Sequence, residues 1–107
     1  MNTPTFISET LKEKLSTYCK RMEEITSYNP MKRDRHRVYV TVRAMVAYKL
    51  LQDGFMETHV GVAMDLEHST IHYYRNKVQA YLSLKMYEAE QMIWNKFIHY
   101  EQEEGNS

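Results

Sequence analysis

The chain has 107 residues, with 14 lysines and arginines and 14 aspartates and glutamates, so its formal net charge is zero and gives no general signal for nucleic acid. This length fits one domain, since domains commonly run to about 100–200 residues. With 3 glycines and 2 prolines the composition disfavours a turn-rich β architecture, and no apolar run approaches the roughly 18 residues of a membrane span.

The charge is unevenly spread along the chain. Residues 32–77 contain eight lysines and arginines against five acids, a balance of +3, whereas residues 78–107 contain two against five, a balance of −3. A basic segment followed by an acidic tail suits contact with DNA better than the neutral total does.

The beginning of the chain and its single cysteine bear on the compartment. Residues 1–4 lack the basic region and the apolar core of a signal peptide. Cys19 has no partner for an internal disulfide, and we expect it to be a small buried or half-buried side chain. We therefore expect a soluble, cytoplasmic protein.

Residues 5–27 have the pattern of an amphipathic helix. Apolar side chains recur there at steps of three and four, which places them on one face. This set is Phe6, Ile7, Leu11, Leu15, Tyr18, Met22 and Ile25. We interpret the segment as a packing helix, and a partner-binding or dimerising helix is the alternative. Asn29-Pro30 ends it, because the residue before a proline disfavours helical geometry.

Residues 28–38 are predicted to form a loop, called the basic loop below. Four cations stand within six residues of it, namely Lys32, Arg33, Arg35 and Arg37. A solvated, charged loop is one interpretation. Contact with DNA phosphates or the minor groove is the other, since arms that carry arginine and lysine make both. The helices that follow the loop favour the second interpretation.

Residues 38–42 alternate β-branched side chains and favour a strand, whereas residues 43–52 favour a helix by composition and spacing. A lone strand would lack a partner here. We therefore predict one helix over residues 40–52, with Thr41 as a candidate N-cap and Gly54 just past its end.

Residues 57–82 are predicted to form a helix-turn-helix. Residues 57–64 make the short first helix, in which Gly61 allows a neighbour to approach closely. The second helix has one apolar face and begins at Ser69 or Thr70, whose hydroxyls are candidate caps. Its apolar residues are Ile71, Tyr74, Val78 and Leu82. Two short helices joined by a few residues, the second with a polar leading edge, are typical of this motif.

A last helix is predicted over residues 83–101, with Ser83 as its start signal and Trp94 as a core anchor. The polar residues 102–107 follow it as a tail that we expect to fray. Taken together, the pattern predicts a single all-α domain over residues 1–107, a small helical bundle that contains a helix-turn-helix.

Three ordered blocks within residues 32–80 carry a family resemblance. They are the basic loop, the segment Val42-Arg43-Ala44-Met45-Val46-Ala47-Tyr48-Lys49-Leu50, and Val60-Gly61-Val62-Ala63-Met64 followed by Glu67-His68-Ser69-Thr70-Ile71. In this order they resemble the C-terminal DNA-binding domain of DnaA, the bacterial replication initiator. The family signature runs roughly Ile-Gly-x-x-Phe, one or two Gly, Arg, then Asp-His-Ser/Thr-Thr-Val. The resemblance implies a fold similar to that domain and to Trp repressor.

The resemblance implies DNA contacts by position. At the leading turn, Glu67 would accept from a cytosine amino group and the Thr70 methyl would meet a thymine methyl, while His68 and Ser69 would contact base edges or phosphates. Tyr73 stands where the family often has a histidine that reaches bases. The full set of expected DNA-binding residues is Lys32, Arg33, Arg35, Arg37, Arg43, Glu67, His68, Ser69, Thr70, Tyr73 and Lys77.

The chain departs from the family at several positions. Asp65 stands in place of its glycine, Leu66 in place of its arginine, and Asn76 in place of its second arginine, while Lys77 matches the lysine of its Arg-Lys pair. An acid close to DNA phosphates costs electrostatically, and a lost arginine removes one contact. We therefore expect DNA binding that is weaker or retuned in sequence.

Signals for catalysis and for metals are weak. The chain has no glycine-rich loop with lysine and serine or threonine, so we expect no ATPase. His68 and His72 are four residues apart, a spacing that suits two metal ligands, but a third ligand has no clear source. We expect no catalytic residue, no cofactor and no metal.

The expected function is sequence-specific binding of double-stranded DNA by a stand-alone domain, for origin binding or the regulation of replication initiation. The alternative is a non-enzymatic protein-interaction module that keeps the helix-turn-helix scaffold. Such a module would dock a protein, or a second copy, through its first or last helix.

Overall fold

The structure is a computed structural model that describes residues 8–105, with side chains over residues 8–100. Within this range the chain forms helices and no strand, which confirms the all-α prediction. The elements are α1 (Glu9–Thr26), α2 (Arg37–Gln52), α3 (Glu57–Met64), α4 (His68–Ser83) and α5 (Glu88–Gly105), with a 3₁₀ turn at Lys85–Tyr87. None of these helices is both long and apolar enough to cross a bilayer.

Helix α1 packs one apolar face against the bundle, as its sequence predicts. It begins at Glu9, after the N-cap residue Ser8, whose hydroxyl accepts a hydrogen bond from the Leu11 N–H at 3.1 Å. The predicted start of the helix at residue 5, with Phe6 and Ile7, lies outside the described residues. Cys19 is half-buried, as expected, and its burial, with a smaller effect of Glu23, raises the pKa of its thiol to about 12.

Helix α2 is the centre of the bundle and is buried on nearly every side. Residues 41–47 all lie in the core, which explains a β-branched run inside a helix, since tertiary packing overrides a weak local preference. The helix begins at Arg37, three residues earlier than predicted. The prediction of Thr41 as N-cap is wrong, because its hydroxyl lies inside the core 3.3 Å from that of Tyr81.

Helices α3 and α4 are joined by residues 65–67 and pack against each other. Gly61 makes this possible, because a Cβ there would lie 2.8 Å from the carbonyl oxygen of Leu66. The prediction of Ser69 or Thr70 as the cap of α4 is wrong. The cap residue is Glu67, whose carbonyl accepts the N–H of Thr70 at 3.0 Å. Ser69 and Thr70 therefore lie inside the first helical turn.

Helix α5 closes the bundle with Trp94 and Phe97 buried against the other helices, so Trp94 is the core anchor predicted for it. The predicted start at Ser83 is wrong, since Ser83 ends α4 and the 3₁₀ turn intervenes. The side chain of Gln91 donates to the carbonyls of Tyr81 at 2.8 Å and Leu84 at 3.0 Å, and so caps the end of α4. The predicted tail from residue 102 is instead helical as far as Gly105.

Candidate nucleic-acid interface

The backbone of the basic loop is held by the buried side chain of Arg43. Its guanidinium donates to the carbonyl of Pro30 at 2.9 Å and to that of Asp34 at 3.2 Å, and it also bonds the carbonyl of Lys32. Arg43 is only 6% exposed. The expectation that Arg43 contacts DNA is therefore wrong, because its donors face the inside of the loop.

The loop is also fixed to the turn between α3 and α4 by Arg33. The Arg33 guanidinium donates to the carbonyls of Met64 at 3.2 Å and Asp65 at 2.8 Å. It lies 3.2 Å from the Asp65 carboxylate as well. Asp65 has φ +58°, a left-handed conformation that turns the chain out of α3. The basic loop thus lies directly beside the turn that leads into α4.

Three loop cations remain directed to solvent. Lys32, Arg35 and Arg37 are exposed, and within the described part of the chain neither Arg35 nor Arg37 has an ion-pair partner. The ammonium of Lys32 lies 5.2 Å from the centre of the Tyr39 ring. Three cations are therefore exposed on a loop whose backbone conformation is already fixed by Arg43.

The one acid in this loop segment, Asp34, is turned toward its own chain. Its carboxylate accepts the backbone N–H of His36 at 2.8 Å and lies 2.6 Å from the His36 ring nitrogen. These contacts, the backbone bond first, lower the pKa of Asp34 below its ordinary value. These contacts hold His36, the residue before α2, and the helix begins at Arg37 instead of at the predicted residue 40.

The outer face of α4 presents polar side chains at helical spacing. Ser69, Tyr73 and Asn76 form one exposed stripe, and Tyr73 is 55% exposed. The Lys77 ammonium lies 3.3 Å from the Tyr73 hydroxyl. Partial burial lowers the pKa of Lys77, but its contacts with Tyr73 and Tyr81 outweigh that effect and leave this pKa above its ordinary value. Lys77 therefore stays charged at this face.

A second stripe of α4 faces the start of α3. The Glu57 carboxylate lies 2.8 Å from the ring of His68, 3.4 Å from that of His72 and 2.8 Å from the Arg75 guanidinium. Partial burial raises the pKa of Glu57, but its bonds to the two histidines and the charge of Arg75 outweigh this and lower it overall. His68 is therefore exposed, but its ring already bonds to Glu57. We call Glu57, His68, His72 and Arg75 the Glu57 cluster.

The predicted site residues divide into three groups by their placement. The exposed group on or beside the surface of the loop and α4 is Lys32, Arg35, Arg37, Glu67, Ser69 and Tyr73, with Thr70 and Lys77 half-buried among them. Arg33 and His68 lie at the same surface but are bonded to protein groups, and Arg43 is inside.

Sequence reasoning missed Glu57 and Arg75. Their contact joins two helices, and Glu57 precedes Arg75 by 18 positions, so no local spacing indicates it. Across residues 8–100, no group of three or more histidine, cysteine or acidic side chains is placed to hold a metal ion.

Comparison of the chain with protein-family models, with curated proteins and with solved structures gave no match. The assignment of a function therefore depends on the residues and their geometry.

Proposed function

We propose that this chain is a sequence-specific binding domain for double-stranded DNA, in which α3 and α4 act as a helix-turn-helix and the basic loop makes a second contact. The link between Arg33 and the α3–α4 turn carries the proposal, because it sets the exposed cations of the loop next to the leading turn of α4. A DNA duplex presents its phosphates beside the base edges of its grooves, so the loop and the leading turn of α4 can contact both at once. The resemblance of residues 32–80 to the DnaA domain supports the same function at an origin or in the regulation of initiation.

In this proposal α4 enters the major groove with its first turn toward the base edges. Glu67 accepts from a cytosine amino group, and the methyl of Thr70 meets a thymine methyl. Ser69 and Tyr73 lie on the exposed stripe and contact base edges or phosphates. Lys77, charged and one turn beyond Tyr73, contacts a phosphate.

The loop supplies the sequence-independent part of the affinity. Lys32, Arg35 and Arg37 neutralise phosphates or enter the minor groove. Since Arg43 already orders the loop backbone, binding loses less conformational entropy than it would with a free arm. The buried arginine therefore assists binding without touching DNA.

Asp65 is compatible with this proposal although it places an acid near the duplex. It occupies a left-handed position, which glycine adopts at no steric cost and which aspartate tolerates better than most residues. The resembled family has glycine at this position. The Asp65 charge is partly balanced by Arg33 at 3.2 Å.

The experiment is a fluorescence-anisotropy titration with duplexes selected from a random pool, repeated over a series of salt concentrations. The logarithm of the affinity is expected to fall against the logarithm of salt with a slope of about 0.9 per phosphate neutralised. Changing Lys32, Arg35 and Arg37 together to alanine should weaken binding to every duplex and reduce the slope. The control changes the exposed Lys12, Lys20 and Lys85 to alanine.

Substitution of the leading turn tests the other half of the proposal. Thr70→Ala should reduce the preference for the selected duplex over an unrelated one, by the roughly 1–3 kcal/mol of one base contact at most. Binding with no salt dependence, or binding that neither the loop variant nor Thr70→Ala alters, would overturn the proposal.

An apolar surface favours a second candidate function, a non-enzymatic protein-interaction module. Two adjoining clefts of about 320 and 250 Å³ share Val38, Ala89 and Ile93, and Met92 beside them is 61% exposed. Clefts of this kind accept apolar side chains of an amphipathic helix from another protein. A Met92→Glu variant that no longer binds the partner protein while its DNA affinity stays unchanged would favour this candidate.

A further inference from the structure

The Glu57 cluster places two histidines and an arginine of α4 around a carboxylate of the protein itself. His68, His72 and Arg75 recur at steps of four and three, so they form one stripe of the helix. All three lie within 3.4 Å of a Glu57 oxygen. The Glu57 side chain is only 17% exposed, whereas the two histidines and Arg75 are between 38% and 59% exposed. These three side chains thus reach solvent while the carboxylate lies beneath them.

The surroundings of Glu57 offer it no other charged partner among the described residues. A cleft of about 500 Å³ opens beside it, with Leu51 of α2, Phe55, Met56 and Thr58 as its uncharged lining. The Arg75 guanidinium also donates to Nδ1 of the His72 ring at 2.9 Å. Arg75 and the ring of His68 each lie 2.8 Å from the Glu57 carboxylate, so they form a binding site for an anion, and the anion that fills it here is that carboxylate.

We propose that Glu57 is an affinity-determining residue, whose carboxylate competes with a DNA phosphate for His68 and Arg75. This inference rests on the proposed function. A DNA phosphodiester carries one negative charge and two terminal oxygens, as a carboxylate does, but Glu57 is already held beside these donors by the fold, so the phosphate contact does not form while Glu57 is present. Loss of that contact lowers affinity for every duplex, because a phosphate is common to all of them.

The test compares Glu57→Gln with Glu13→Gln by the same anisotropy titration at several salt concentrations. Each variant removes one negative charge, but Glu13 is an exposed residue of α1 that has no part in the proposed interface. Glu57→Gln is expected to tighten binding about tenfold and to steepen the salt slope by about 0.9, the effect of one added phosphate contact. Glu13→Gln should leave that slope unchanged.

A double-mutant cycle distinguishes two effects of Glu57→Gln, namely the release of Arg75 for DNA and the loss of a negative charge that repels DNA. In an Arg75→Gln background, most of the gain from Glu57→Gln should disappear, because the principal cation that it releases is absent. A gain of equal size in both backgrounds would overturn the proposal, as would equal slopes for Glu57→Gln and Glu13→Gln. If Glu57→Gln does not fold, as judged by circular dichroism, Glu57→Asp takes its place, since it shortens the reach of the carboxylate.

Failure of the two proposals is distinguishable. If the unsubstituted chain shows no salt-dependent binding to any duplex, the proposed function fails and this inference with it. If the unsubstituted chain binds and loses affinity with the loop substitutions, but Glu57→Gln behaves like Glu13→Gln, only the role of Glu57 is overturned.

Discussion

The guanidinium of Arg33 donates to the carbonyl of Asp65 at 2.8 Å and so ties the basic loop to the turn between two helices. The two residues are 32 positions apart, and each is constrained by more than this bond. Arg33 also donates to Met64, while Asp65 adopts a left-handed conformation. The loop and the start of α4 therefore form one continuous surface.

The left-handed conformation of Asp65 leads to the first prediction. A side chain at this φ costs roughly 1 kcal/mol relative to glycine. Asp65→Gly should therefore be more stable than Asp65→Ala by about 1 kcal/mol, although both variants lose the same exposed ion pair. Urea unfolding of the two proteins measures this difference. Equal stabilities would show that the turn carries no strain at this residue.

The bonds of Arg43 to the loop carbonyls lead to the second prediction. Arg43→Met keeps the apolar length of the side chain but leaves buried carbonyls without a donor, which should cost about 2–3 kcal/mol of unfolding free energy. Arg35→Met, at an exposed loop position, is the control and should change stability by less than about 0.5 kcal/mol. If the two variants lose equal stability, Arg43 does not hold the loop.

The helix pattern predicted much of this fold, because apolar periodicity reports which face of a helix is buried. The boundaries of α3 match the prediction, and Gly61 allows the close approach inferred for it. The starts of α2 and α4 were predicted wrongly. In both cases a hydroxyl suggested a side-chain cap, whereas the observed caps are His36 and Glu67, which make no side-chain cap bond.

The candidate site was predictable in outline only. A cluster of cations in the sequence shows that charge is present, but it does not show which of these side chains bond to other groups of the protein. Arg43 and Arg33 bond to carbonyls, and His68 bonds to Glu57 of another helix. These contacts depend on packing between distant segments, and no spacing along the chain encodes them.

The close contact at Gly61 leads to the third prediction. In Gly61→Ala the new methyl group would lie 2.8 Å from the Leu66 carbonyl oxygen, and this oxygen is backbone that cannot swing away. Separation of α3 from the turn should cost about 1–3 kcal/mol, more than the roughly 1 kcal/mol that alanine contributes to a helix. Thermal unfolding measures the loss, and Val62→Ala on the exposed side of α3 is the control. A rise in melting temperature for Gly61→Ala would contradict the packing described here.

The partly buried carboxylate of Asp53 leads to the fourth prediction. It lies 3.2 Å from the ammonium of Lys14 and 2.9 Å from that of Lys49, and it accepts from the Tyr18 hydroxyl. Partial burial raises the pKa of Asp53, but these bonds outweigh the burial and lower it. Because the folded pKa lies below the unfolded one, the stabilisation is present above an ordinary aspartate pKa of about 4 and is lost as the pH falls through the folded value.

The measurement for Asp53 is urea unfolding at pH 7 and at pH 3. Asp53→Asn should cost about 1–3 kcal/mol at neutral pH, and its deficit relative to the unsubstituted protein should shrink at pH 3. Glu13→Gln, at an exposed position of α1, serves as the control and should show no such change. A deficit that is the same at both pH values would mean that the charge of Asp53 does not stabilise the fold.

The most direct test of the proposed interface is a nuclear magnetic resonance titration of the labelled chain with a selected duplex. If the loop and the leading turn of α4 lie against the same duplex, the amide signals of residues 32–37 and 67–73 should shift together, at the same DNA concentrations, and return as salt is added. Shifts confined to α1 and α5, or movement of one of the two segments without the other, would contradict the account.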